Sequence, residues 1–343
     1  MYMRAVIVDA PEQVRVDNVA EPMPGPSEVL IRVGASGICG TDLHIIGGDS
    51  PLARYPLIPG HEFAGEVVAV GSGLQSEGKA GVPITVGSRV AVEPNLYCGQ
   101  CEFCRTGHEN LCLNYAAIGV TINGAFAQYV TVPAAKAYVL PETLSFREGA
   151  LIEPVSCAVH GMHSLNPRFG DTFLIVGAGT MGLLLLQLAV RGGASRIAVV
   201  DVNTQRLARA EQLGATRVYT DIQHALKDEP LGFNCVIDAT GVAPVIEQAF
   251  MTVKRGGKFM IFGVASHEAR VSLSPFRIYN DEITIVGSMA VLFSFQAALD
   301  VMSAGVIDTQ AMLTTALPLD DFPKALDMVR RGEGVKTQIV LNA

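Results

Sequence analysis

Two textures of hydrophobic patterning run along the chain. Up to about Pro141, short β-branched runs such as Val29-Leu30-Ile31-Arg32-Val33, Gly65-Glu66-Val67-Val68-Ala69-Val70 and Arg89-Val90-Ala91-Val92 stand between clusters of glycine and proline. Runs of that length, broken by turn residues, predict a mostly antiparallel β domain that carries its function on loops. After Gly149 the apolar runs become nearly continuous: Phe173 to Val176, Ile197 to Val200, Cys235 to Asp238, Lys258 to Phe262 and Ile283 to Val286, with helical segments between them. Strands apolar on both faces predict a parallel sheet covered by helices on each side. From about Ser288 a helix and short strands mix again and end in Lys336-Thr337-Gln338-Ile339-Val340-Leu341, which predicts a return to the first domain. The expected organisation is therefore 1–150 plus 289–343 for the first domain, with a cysteine lobe at 94–113, and 151–288 for the second. The polar stretch Leu74 to Thr85 reads as a surface insertion.

Bulk properties narrow the class. A chain of 343 residues exceeds what one hydrophobic core usually serves. With 49% apolar and 17% charged residues it has the makeup of a well-buried α/β enzyme, and disordered or fibrous classes are excluded. The net charge of −8, with no Lys/Arg run longer than a pair, lacks the footprint of a nucleic-acid or anionic-membrane binder. The segment Met1 to Asp9 reads as a strand and not as a signal peptide, and the apolar stretch Leu183 to Val190 is far short of the ~20 residues that span a bilayer, so a cytoplasmic protein is expected. In that compartment seven cysteines predict metal ligands or buried thiols in preference to disulfides. Cys157, Cys235 and Met162 are expected in the core, and His160 and His163 as structural members of a helix.

Gly177-Ala178-Gly179-Thr180-Met181-Gly182 follows the strand-like Phe173 to Val176 and opens the helical Leu183 to Arg191. Glycines there let the backbone turn tightly and approach a pyrophosphate at a helix N-terminus, so the context predicts a dinucleotide site. Asp201 ends the next strand about twenty residues on, where a carboxylate accepts both ribose hydroxyls and repels a 2′-phosphate, which predicts NAD over NADP. Asp201 as a simple helix cap is the plainer alternative, and Arg206 either flanks the adenine or sits on a solvated helix face.

Cys98, Cys101 and Cys104, followed by Cys112, place four thiols within fifteen residues. That spacing suits one tetrahedral zinc with every position filled, which means a structural role, with a redox switch as the competing reading. A second group combines Gly37-Ile38-Cys39-Gly40-Thr41-Asp42-Leu43-His44 with Gly60-His61-Glu62-Phe63-Ala64-Gly65. A catalytic zinc keeps three protein ligands and one open position, which Cys39, His61 and Glu62 satisfy, with Asp42 holding the far nitrogen of His61.

These pieces, with Glu153-Pro154 and the Gly177 loop, stand in the order seen in zinc-containing medium-chain alcohol dehydrogenases, and the chain resembles that family over essentially its whole length. The resemblance implies an α/β protein: a GroES-like, mostly β catalytic domain interrupted by a Rossmann doubly wound nucleotide-binding domain. It implies NAD and two zinc ions per subunit, one catalytic and one structural, and a homodimer or homotetramer. Glu153 followed by proline is similar to the sorbitol and other polyol dehydrogenases, in which Glu62 would be the usual carboxylate ligand and Glu153 an alternate ligand or a neighbour of the reacting groups. Thr41 would then take the substrate proton and His44 release it, loop hydrogen bonding being the plainer alternative, and Lys336 would contact the pyrophosphate. The expected reaction is oxidation of a secondary hydroxyl of a pentitol or hexitol to a ketose, with threonine or butanediol oxidation as alternatives. One departure stands out: Gly287 to Phe295, expected at the substrate cleft, lacks the arginine that sorbitol dehydrogenases place near Ala290 or Val291.

Overall fold

The computed structural model describes residues 1–73 and 83–341; most of the insertion expected at Leu74 to Thr85 lies outside the described residues. Two compact units emerge, Met1–Ser156 with Val291–Ala304 and Leu313–Ala343, and Cys157–Ala290 with Gly305–Met312.

The first unit is built on a seven-stranded sheet ordered Thr315–Pro318, Thr337–Val340, Glu28–Gly37, Glu62–Val70, Arg89–Val92, Ala137–Val139, with Tyr129–Pro133 also paired to Glu28–Gly37. Its pairs are antiparallel except the outermost, Thr315–Pro318 beside Thr337–Val340. Period-2 alternation sends Val29, Ile31 and Val33 to one core with Phe63, Val67, Val90 and Val130. A second core gathers Val6, Val8, Ile38, Ile46, Phe126, Phe322 and Ile339, with the Phe126 and Phe322 rings 4.9 Å apart. Register matters more than the cores here. Gly37 lies opposite both Glu62 and Gln338, so three strand ends bring Cys39, Glu62 and Lys336 to one place.

The second unit is a six-stranded, wholly parallel sheet in the order Arg217–Tyr219, Arg196–Val200, Thr172–Val176, Phe233–Asp238, Val253–Ile261, Thr284–Gly287. Leu174, Val176, Val236 and Phe259 are buried in it, as near-continuous apolar runs require. Strand order reverses at Thr172–Val176, so the crevice at the carboxyl end of that strand is the ligand position of such sheets. The glycine loop begins there.

The cuts between the units fall after Ser156, Ala290, Ala304 and Met312. The helix Ile152–Leu165 begins just past position 150, and the first cut falls inside it, after Ser156. Residues 305–312 belong to the second unit because the Asp308 amide donates to Gln187 Oε1 at 2.7 Å and the Arg209 guanidinium bonds the Ala311 carbonyl. Among the described residues no helix is long and apolar enough to cross a membrane.

Candidate active site

Cys39 is the N-cap of the helix Gly40–Gly47, and Asp42 in its first turn accepts the Cys39 amide at 2.8 Å. This local capping fixes the thiol in place and buries the Asp42 carboxylate completely. His61 Nδ1 faces Asp42 Oδ1 at 3.6 Å, so the ring's other nitrogen is turned to Cys39 and Glu62. Ligand atoms of Cys39, His61 and Glu62 all lie within 4.8 Å of one another, with His61 and Glu62 buried. Three anionic or ionisable groups in one dry place call for positive charge. Burial pulls the His61 pKa down, but Asp42 and Cys39 outweigh it and hold the imidazole well above its usual range. Sulfur, nitrogen and oxygen donors together with that demand fit a zinc dication.

Lys336 immediately precedes the strand Thr337–Val340. It is 2% exposed in the first unit, paired through Nζ with Glu62 Oε2, and it donates to the Ile38 carbonyl at 3.0 Å. Burial disfavours its charge, yet Glu62, Cys39 and Asp42 keep its pKa above the lysine value. The register of Thr337–Val340 brings this residue to Glu62. Glu153 is the second residue of the helix Ile152–Leu165. It is buried in the first turn of Ile152–Leu165 but is not a member of the Cys39 group. Thr41 Oγ1 is 3.8 Å from Cys39 Sγ, and His44 lies three residues on in the same half-buried helix.

In the lobe, Cys112 Sγ is 3.5 Å from Cys98 and 3.9 Å from Cys101, and Cys101 is 3.5 Å from Cys104. Four sulfurs at about 2.3 Å from a tetrahedral zinc would stand about 3.8 Å apart, close to this spacing. All seven cysteines are free thiols, as expected without disulfides. The amides of Cys98 and Asn114 point at Cys112 Sγ at 3.3 Å each, and those of Gln100 and Cys101 at Cys98 Sγ at 3.5 and 3.4 Å, a ready cradle for thiolates. These amides draw the Cys98 pKa down to about 6, while burial and neighbouring sulfurs push Cys104 up to about 12.

Two supporting networks had no signal in the sequence. Glu93, buried, binds Lys136 Nζ at 2.6 Å and the Tyr138 hydroxyl at 3.1 Å, and that ammonium sits 3.9 Å over the Tyr97 ring beside Cys98. Asn95 accepts from the Tyr115 hydroxyl at 2.6 Å and donates to the Val291 carbonyl at 3.3 Å. The expected cleft segment is uneven: Val291 and Phe295 are buried while Met289 and Phe293 are exposed, with Ala290 and Phe293 in the left-handed region.

In the second unit Gly177 has φ +102°, and a Cβ there would stand 3.0 Å from Thr240 Cγ2. Gly182 lies against the Gly177 carbonyl, whereas the Cβ position of Gly179 is open. Gly179 caps the helix Thr180–Arg191, whose first turn carries Met181. Asp201 accepts the Ala178 amide at 2.7 Å and the Asn203 amide at 2.8 Å, so it is pinned against the loop. Asn203, and not Asp201, caps the following helix Thr204–Gln212 with Arg206 half-buried in its first turn.

Residues 25–142 match the alcohol dehydrogenase GroES-like domain and residues 180–304 the zinc-binding dehydrogenase domain. D-arabinitol dehydrogenase 1 of Uromyces fabae is 34% identical over 99% of this chain and 97% of that protein. The chain belongs to the zinc-binding alcohol dehydrogenases. D-altritol 5-dehydrogenase of Agrobacterium fabrum is 35% identical over 93% of the chain and 90% of that protein. A solved zinc-binding dehydrogenase of Sinorhizobium meliloti 1021, bound to NADP, superposes with a TM-score of 0.92 at 34% identity, covering 99% of this chain and all of that one. This family member is an NAD-dependent oxidoreductase with zinc as its metal.

Proposed function

We propose that the protein oxidises a secondary hydroxyl of a linear pentitol or hexitol to a ketose, reversibly, with NAD as acceptor. The buried Cys39, His61 and Glu62 group carries this reading, because it offers a dication three unlike donors backed by Asp42. We assign these three to the catalytic zinc and Cys98, Cys101, Cys104 and Cys112 to the structural one. When bound, zinc acts as a Lewis acid on the substrate hydroxyl and the nicotinamide accepts the hydride. Asp42 orients His61 through Nδ1 and leaves its other nitrogen for the metal. Thr41, beside Cys39, would accept the hydroxyl proton while handing on its own, relayed through the cofactor ribose to His44, which releases a proton to solvent. Glu153, buried outside the ligand group, serves as an alternate ligand or a proton-path neighbour. Gly177, Gly179, Thr180, Met181 and Gly182 cradle the pyrophosphate, and Asp201 takes the ribose hydroxyls, with Arg206 near the adenine.

Similarity to arabinitol and altritol dehydrogenases supports a polyol substrate. The exposed Met289 and Phe293 favour a second reading, a shorter alcohol such as butanediol or L-threonine. Steady-state kcat/KM with NAD over pentitols, hexitols, 2,3-butanediol, L-threonine and ethanol decides. A pentitol or hexitol should lead; a lead of roughly tenfold by any other compound replaces the polyol assignment.

We also place the protein in the cytoplasm, without nucleic-acid or membrane partners, as a homotetramer or homodimer. Phe276, Tyr279 and Ile285 are exposed on and near the strand Thr284–Gly287, which among the described residues ends the sheet without a further partner, an edge that a second copy would cover. Light scattering reports the subunit count.

A further inference from the structure

Glu62 and Lys336 form an ion pair that water hardly reaches, 1% and 2% exposed. Space for it is made by Gly37, where any Cβ would overlap both Glu62 Oε2 and Lys336 Cε. The pair adjoins the Cys39 group of which Glu62 is a member. One carboxylate thus faces two cationic claimants, a built-in ammonium and the dication assigned above. Charge counting shows what the ammonium does. Cys39 thiolate, Asp42 and Glu62 make three negative charges; a zinc dication and Lys336 make three positive, with His61 neutral. Without Lys336 the loaded site is anionic by one charge and the empty site holds a buried carboxylate lacking its counter-ion, an expensive state. The second change outweighs the first, because the dication relieves the carboxylate that the empty site leaves unpaired, so losing the ammonium favours the metal.

We propose that Lys336 is a resident counter-ion that competes with the metal for Glu62, so that Glu62 is the exchangeable ligand while Cys39 and His61 are the permanent ones. The inference rests on the assignment of the catalytic metal to Cys39, His61 and Glu62. Lys336 acts through Glu62 and is a positioning residue.

The test uses the full chain with its exchangeable metal removed by mild chelation and returned by titration against a chromogenic chelator. Lys336→Met should tighten zinc binding at that site by about tenfold or more, on the scale of other outer-shell substitutions but opposite in sign to the loss of a supporting partner. In a Glu62→Gln background the same substitution should change affinity by no more than about twofold, since the shared partner is gone. With cobalt(II) in place of zinc, Lys336→Met should shift the visible d–d bands in the Glu62 protein and not in the Glu62→Gln protein. Unchanged or weaker metal binding in Lys336→Met overturns the proposal, as does an equal effect in the Glu62→Gln background. Lys336→Gln is measured by the same criteria should Lys336→Met not fold. Cys39→Ser separates the two levels: if it retains the exchangeable metal, the site assignment itself fails and the proposal with it.

Discussion

Asp201 offers the sharpest test of how the second unit selects its cofactor. Two backbone amides, Ala178 at 2.7 Å and Asn203 at 2.8 Å, hold its carboxylate, so it has no free rotation by which to retreat from an approaching phosphate. A 2′-phosphate about 4 Å away would be repelled by about 4 kcal/mol per unit charge at an intermediate dielectric. Asp201 is half-buried, and solvent and salt screening leave about half of that, about 2 kcal/mol, or roughly 30-fold in selectivity. Asp201→Asn removes the charge and keeps one acceptor for the amides; Asp201→Ser removes most of both. The ratio of kcat/KM for NAD to that for NADP should therefore fall by roughly 30-fold in Asp201→Asn, with Asp201→Ser adding a loss for both cofactors as the loop relaxes. A wild-type protein that already prefers NADP, as its NADP-bound structural neighbour invites one to ask, would refute the reasoning. So would an Asp201→Asn ratio unchanged from wild type.

Three further substitutions or treatments probe the first unit. Glu153→Gln should slow turnover by about 10²–10⁴-fold while zinc content by elemental analysis holds steady, and loss of one zinc would instead restore Glu153 to the ligand set. Once the lobe is stripped of metal, Cys98 should be alkylated ahead of Cys104 at neutral pH, as read by mass spectrometry. Because the folded Cys98 pKa is depressed to about 6, its thiolate and the stability linked to it are present at alkaline pH and are lost as pH falls through about 6; earlier labelling of Cys104 would contradict this. Glu93→Ala leaves the buried Lys136 ammonium without its carboxylate and should cost about 3–5 kcal/mol, seen as a lower Tm, whereas an unchanged Tm would show that the network carries little energy.

Much of this protein is written locally along the chain. The parallel strands Thr172–Val176, Arg196–Val200 and Phe233–Asp238 announce themselves because residues buried on both faces must be apolar. Arg217–Tyr219 escapes that logic: at the sheet's edge it needs no second buried face, and its three residues carry no pattern. The thiol lobe and the glycine loop are legible for a similar reason, since their chemistry depends on neighbours in sequence: a C-x-x-C pair brackets one ion, and a glycine turn bends over its own amides. Cys39 and Asp42 are likewise bound by a helix cap three residues long.

Contacts between distant segments were decided only by the tertiary structure. Lys336 meets Glu62 across 274 positions because Thr337–Val340 pairs antiparallel with Glu28–Gly37 and Glu62–Val70 lies on its other side, and no local pattern encodes a register between strands so far apart. Glu93 with Lys136 and Asn95 with Val291 are of the same kind. Sequence alone determines which groups are chemically able to act, because that ability resides in the residue and its immediate neighbours. Which of them share a charge, a proton or a metal depends on distances that only the packing of the whole chain sets, since electrostatic and hydrogen-bond energies fall off within a few ångströms.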